Sequence, residues 1–120
     1  MTGTLLMAII MVIMAGREPF SLVYDASVKE HLRAVDSKHH PLIRRTIEQQ
    51  LLFEPDVATR NRKPLERPVA FEATWELRFG PQNRFRIFYD VNRESHEVDI
   101  LAFGVKVGNR LTLGGEEVEL

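Results

Sequence analysis

Six side chains in this sequence have the types and spacing to handle an anion: Lys63, Glu76, Arg78, Arg84, Arg86 and Lys106. Four of them fall in one stretch, WELRFGPQNRFRIFYDV at 75–91, which reads as a β-hairpin turned at GPQN. Successive strand residues point to opposite faces. Trp75, Leu77 and Phe79 therefore share one face of the first strand, and Glu76 and Arg78 the other. On the second strand Phe85, Ile87, Tyr89 and Val91 lie opposite Arg84, Arg86, Phe88 and Asp90. Burying both apolar sets in one core forces odd-numbered residues to pair with odd. The even face then holds Arg78 across from Arg84 or Arg86, with Glu76 beside them.

Opposed arginines on a sheet repel by a few tenths of a kcal/mol, roughly, unless an anion relieves them. Two readings are open. Glu76, helped by Asp90, neutralises the face and leaves it merely solvated. Alternatively, the relieving anion is external. Phe88 on the same face offers a surface for base stacking, and the basic loop RNRKPLER (60–67) leads into the first strand and can overhang it. Guanidinium forks bind phosphate oxygens in pairs, so the second reading predicts a nucleic-acid backbone on this face. Cleavage of RNA by its own 2′-OH needs a proton acceptor, a proton donor and stabilisation of the charged phosphorane. The arginines supply the last, Glu76 is a candidate base, and Lys63 or Lys106 a candidate acid.

The elements that must position these residues are legible along the chain. FSLVY (20–24) reads as a first strand. Asp25 or Ser27 then caps a helix running to about Ser37, with Val28, Leu32 and Val35 as its apolar stripe. Pro41 opens a second helix that buries Ile43, Ile47 and Leu51 and ends near Glu54-Pro55. Residues 55–70 carry three prolines and the basic residues Arg60, Arg62, Lys63 and Arg67, which predicts a long irregular loop. Strands over 72–79, 84–91 and 97–107 follow as an antiparallel meander. In the last of them Leu101, Phe103, Val105 and Val107 continue the core face, while Ala102 and Gly104 make a shallow floor under the arginines with Lys106 at its rim. The expectation is an α+β domain: a strand, an αα-hairpin and a three-stranded meander, with the helices on one sheet face.

Composition bounds the function. The 120 residues suffice for one domain, and the absence of cysteine removes disulfides, thiolate metal sites and thiol nucleophiles. The net charge of −1 conceals an asymmetry. Residues 60–93 hold eight basic side chains against Glu66, Glu72, Glu76 and Asp90, whereas the tail GGEEVEL (114–120) has three acids and no base. The apolar run LLMAIIMVIMA (5–15) is 11 residues long, too short to cross a bilayer as a helix. No basic residue precedes it, and the reading here is a dispensable extension (1–18), with the functional protein starting as late as Met14. An apolar segment packed on the domain is the alternative, and a membrane anchor ranks behind both. His39-His40 and His96 read as polar loop and turn residues, and no metal or other cofactor is expected.

NRKPL (61–65), WELRFG (75–80), NRFRIFYDV (83–91) and VDILAFGVKVGNRL (98–111) together resemble the RelE/ParE superfamily of toxin–antitoxin toxins, in the RelE/HigB-like branch. The resemblance covers about residues 19–113. It implies a small cytoplasmic prokaryotic toxin that is neutralised by a cognate antitoxin and acts on the ribosome and its mRNA as a metal-free endoribonuclease. The ParE branch instead inhibits DNA gyrase. On this resemblance Arg86 matches the arginine near the scissile phosphate, Arg78 and Lys106 match basic positions on the flanking strands, and Glu76 joins them in the catalytic set. Arg62, Lys63, Arg84, Phe88 and Arg110 form the RNA-binding set. Glu76 stands where the RelE type has a lysine, and Thr112 stands about where that type has a tyrosine. A non-catalytic binding module, with the acidic tail available to fold back over the groove, is the second class of function. No membrane or small-molecule partner is expected.

Overall fold

A computed structural model of the chain describes residues 18–66 and 72–118. The apolar run 5–15, residues 67–71 with Arg67 of the basic loop, and the last two residues of the acidic tail lie outside the described residues.

Strand β1 (Ser21–Tyr24) leads into helix α1 (Ala26–Arg33). Asp25 is the cap, its carboxylate accepting the Ser27 amide at 3.0 Å. The helix stops at Arg33, short of the expected end, and a 3-10 turn over Ser37–His39 carries the chain into helix α2 (His40–Leu51). The histidine pair does structural work at this junction. His40 Nε2 lies 3.0 Å from Leu32 O and 3.1 Å from Val35 O. Both partners are carbonyls, so Nε2 carries the proton and donates, satisfying the open end of α1.

Strands β2 (Arg62–Pro64), β3 (Trp75–Phe79), β4 (Phe85–Asn92), β5 (Glu97–Val107), β6 (Arg110–Leu113) and β7 (Glu116–Val118) complete the element list. They lie in the order β2-β3-β4-β5-β6-β7. β1 pairs in parallel with the first half of β5, beside Glu97–Ile100, and β6 pairs with its second half, beside Gly104–Val107. The result is an α+β domain in which two helices pack on one face of a seven-stranded, mainly antiparallel sheet. The meander expected over 72–107 is its centre. Two expectations about the ends are corrected. The proline-rich loop contains an edge strand, β2, whose Pro64 closes the pairing where no amide is needed. The acidic tail, expected to be available to fold back over the groove, instead pairs its Glu116–Val118 with β6.

The core lies between helices and sheet, where Val28, Ile43, Ile47 and Leu51 meet Leu77, Phe79, Phe85, Ile87, Tyr89 and Phe103. The odd-with-odd pairing holds across β3 and β4, from Trp75 opposite Tyr89 to Phe79 opposite Phe85. On β5 it fails at one point. A bulge lets Phe88 face Ala102 and Tyr89 face Ile100, so Leu101 drops out of register. Val98 and Ile100 therefore fill the core, while Leu101 packs on the opposite side of the sheet. Val107, expected in the core, is exposed.

That opposite side has a small core of its own: Ala73, Phe88, Ala102 and Leu111, with Leu65, Leu101, Leu113 and Val118 against them. Phe88 is 0% exposed. The expectation of an exposed stacking platform there is overturned, because Leu65, Ala73 and the β6 and β7 side chains Leu111, Leu113 and Val118 close over the middle of this face. Gly104 shows how tightly: a Cβ there would lie 2.7 Å from Leu111 Cδ1 and 2.9 Å from Leu113 Cδ2. The shallow floor expected at 102 and 104 is filled by the chain's own leucines.

His96 lies in the turn, partly exposed as expected, and makes contacts of its own there. It has a φ of 57°, stacks on Phe20 with ring centroids 3.8 Å apart, and its Nε2 sits 2.8 Å from Glu18 O. Among the described residues no helix is long and apolar enough to cross a membrane.

His31 ties α1 to the sheet by accepting the Phe103 amide at Nδ1, 3.2 Å away. The bond needs a neutral ring. Burial pushes the imidazole below its ordinary value, with Asp25 and Glu30 pulling partway back. The unfolded chain thus takes up this proton at a higher pH than the folded one. The stability from this group is complete above about pH 6.5 and is lost as pH falls through the lower folded value. His31→Asn keeps an acceptor near the same place but does not titrate. Between about pH 8 and about pH 5, the melting temperature of the parent should fall further than that of the variant; parallel curves would remove His31 from the pH response.

Candidate functional site

The arginine face survives at one end of the sheet, beyond the second core. Arg78 and Arg86 are direct cross-strand partners, and Glu76, two residues before Arg78 on the same face, bonds to both. Its Oε1 accepts from Arg78 Nε and from Arg86 Nη1, the latter at 3.3 Å. Glu76 is 4% exposed and Arg86 8%. Burial pushes the Arg86 guanidinium below its ordinary value; Glu76 raises it again and Arg78 lowers it further. Such a group remains a cation at any physiological pH. Arg86 also donates from Nε to Asn83 O at 3.2 Å, which fixes the other end of its fork.

Beside this cluster is an open cleft of about 310 Å³ lined by Gln82, Asn83, Arg84, Arg86, Lys106, Val107 and Gly108. Three cations and no acid are among these residues. Their convergence follows from the strand ends. The Lys106 amide bonds to Arg84 O at 2.8 Å, locking β5 to the start of β4, and Arg84 in turn is held by Gln82 Oε1. The cleft can therefore hold an anion by several charge-assisted hydrogen bonds at once.

The residues singled out from sequence divide clearly. Glu76, Arg78 and Arg86 form the ion cluster, and Arg84, Arg86 and Lys106 line the cleft. Lys63 faces the same side, opposite Glu76, and is exposed. Arg62 does not join them. It pairs with Leu77 on the core side, is 7% exposed, and donates to Gln50 O at 2.7 Å and Val57 O at 3.0 Å. Its guanidinium is taken up by the end of α2 and the loop that follows, away from the cleft. Arg110 pairs with Val107 on the helix side of the sheet and is absent from the cleft lining. Phe88 is buried. Thr112 also faces the helix side, its hydroxyl donating to Val105 O at 3.3 Å. Gln82, Asn83 and Gly108 are lining residues that strand alternation does not predict; the GPQN turn is the available signal, because the end of a hairpin carries its turn residues to the same place as the strand ends.

That turn is tightly constrained. Gln82 and Asn83 have φ of 55° and 54°, and Gly80 has a φ of 80° with ψ of −173°. A Cβ at Gly80 would come within 2.3 Å of Phe85 Cδ2 in the core. Gly80→Ala is therefore expected to cost about 1–3 kcal/mol from the backbone alone, read as a lower urea midpoint. An unchanged midpoint would show that the turn has another accessible conformation.

Among the described residues no group of three or more His, Cys, Asp or Glu side chains could hold a metal ion. No family model, curated protein or solved structure matches this chain.

Proposed function

We propose that this protein is a cytoplasmic toxin of the RelE/ParE type that grips an RNA backbone in the Arg84–Arg86–Lys106 cleft, arrests translation by cutting messages on the ribosome, and is neutralised by a cognate antitoxin. One observation carries the reading: three cations, from β4, β5 and the turn before β4, converge on a cleft with no acid in its lining. A backbone phosphate supplies the missing counter-charge and accepts from the arginine forks. The order of elements adds support, since a strand, two helices and an antiparallel meander with both helices on one face is the arrangement the family resemblance implies. In this reading the 2′-OH loses its proton to solvent water as its oxygen bonds to phosphorus, Arg86 and Arg84 stabilise charge on the phosphorane, and Lys106 is the lining residue able to give a proton to the 5′ oxygen as its bond to phosphorus breaks.

A second reading, anion binding without cleavage, is favoured by Glu76. Its carboxylate is engaged by two guanidiniums and lies outside the cleft lining, so the candidate base is not where a 2′-OH would be. Inducing the protein and mapping message ends by primer extension separates the two. Cuts at codon-linked positions in translated messages support the nuclease. Intact messages with growth arrest support a binding module, and intact messages with an induced DNA-damage response support gyrase inhibition.

A further inference from the structure

Glu76 presents a physical problem that its assignment as a base does not solve. A carboxylate at 4% exposure is costly unless paired. It lies between Lys63 and Phe88 in the cross-strand row, and Phe88 belongs to the second core. The next row sets Arg78 against Arg86, two like charges on opposed strands with Arg86 nearly buried. Without a shared acceptor the two guanidiniums repel, and Arg86 is no longer held in one orientation at the cleft. One oxygen of Glu76 satisfies both, and Asn83 O takes the Nε of Arg86 from the other side. The remaining N–H groups of Arg86 are thus presented by a fork held at two points.

We infer that Glu76 is a positioning residue: its carboxylate clamps Arg78 to Arg86, aims Arg86 at the cleft and sets how many positive charges the site offers to a phosphodiester backbone. The inference rests on the RNA-binding reading for its ligand, but not for its geometry. Removing the negative charge, as in Glu76→Gln, frees one cation for the polyanion and loosens the fork. Shortening the side chain, as in Glu76→Asp, keeps the charge but withdraws it from the pair.

The test uses the full chain and two readouts. In the protein alone, nitrogen-15 spectra of the arginine guanidiniums report whether Arg86 is held. With a short single-stranded oligoribonucleotide, fluorescence anisotropy over a salt series reports the charges engaged. Glu76→Gln should lose the exchange-protected Arg86 signal and steepen the slope of log K against log salt by about 0.7, one further neutralised phosphate on a single strand. Glu76→Asp should lose the signal while keeping the parent slope. A proton-accepting Glu76 predicts the opposite: in both variants the Arg86 signal and the slope stay at parent values and only cleavage falls. That result would overturn the inference. If the parent binds no RNA at any salt, the RNA reading fails while the guanidinium spectra still decide the clamp, supporting it if the Arg86 signal is lost in both variants and overturning it if the signal is retained.

Discussion

Arg62→Ala is expected to remove about 2–5 kcal/mol of folding stability, at about 1–3 kcal/mol for each buried acceptor left without a partner, out of the roughly 5–15 kcal/mol available to a domain of this size. The size of the effect comes from what the guanidinium holds. Nη1 reaches both the backbone and the side-chain oxygen of Gln50, at 2.7 and 3.0 Å, and Nε reaches Val57 O at 3.0 Å. Glu54 lies 3.9 Å from Nη2. The last carbonyls of α2 have no intrahelical partners, and a cation there also meets the negative end of the helix dipole. Alanine leaves those carbonyls facing a cavity. Arg62→Lys restores the charge but not the fork, and should recover less than half of the loss. Urea denaturation gives the answer directly. A loss below about 1 kcal/mol, the size of one ordinary hydrogen bond, would mean that the clamp is dispensable.

The same residue shows where sequence reasoning ran out. From NRKPL alone, Arg62 and Lys63 are neighbours in a basic loop. Once β2 forms, period two sends Lys63 to the arginine face and Arg62 into the core side. A strand of three residues ending in proline gives no periodic signal long enough to read. Where the signal was long, the reading held: Val28, Ile43, Ile47 and Leu51 are buried as the helical stripes required, and Arg78 does face Arg86. Phe88 was misjudged for a different reason. Its own strand places it correctly on the even face, but its burial is decided by Leu65, Ala73, Leu111, Leu113 and Val118, residues distant in sequence whose packing no local alternation reveals. Leu101 fails by a single bulge, which flips every side chain before it on β5. Local alternation thus located the cluster of Glu76, Arg78 and Arg86, and long-range closure trimmed the groove to the cleft.

If the protein is the toxin proposed above, Arg86→Ala is expected to abolish growth arrest on induction while the protein still folds. Each half of this has its own basis. Loss of a charge-stabilising donor aimed at a transition state costs about 10²–10³-fold in rate, and Arg86 is the residue shared by the ion cluster and the cleft. The fold survives because Glu76 keeps Arg78 as its partner, so no carboxylate is left buried alone, and because Arg86 stands at the end of the sheet rather than in either core. Arg110→Ala is the matched comparison: it removes an exposed arginine from the opposite side of the same sheet and should leave toxicity at the parent level. Growth after induction and thermal melting of the purified variants check both. Toxicity retained by a folded Arg86→Ala protein would take the cleft out of the function, because Arg84 and Lys106 alone hold no fork fixed at two points.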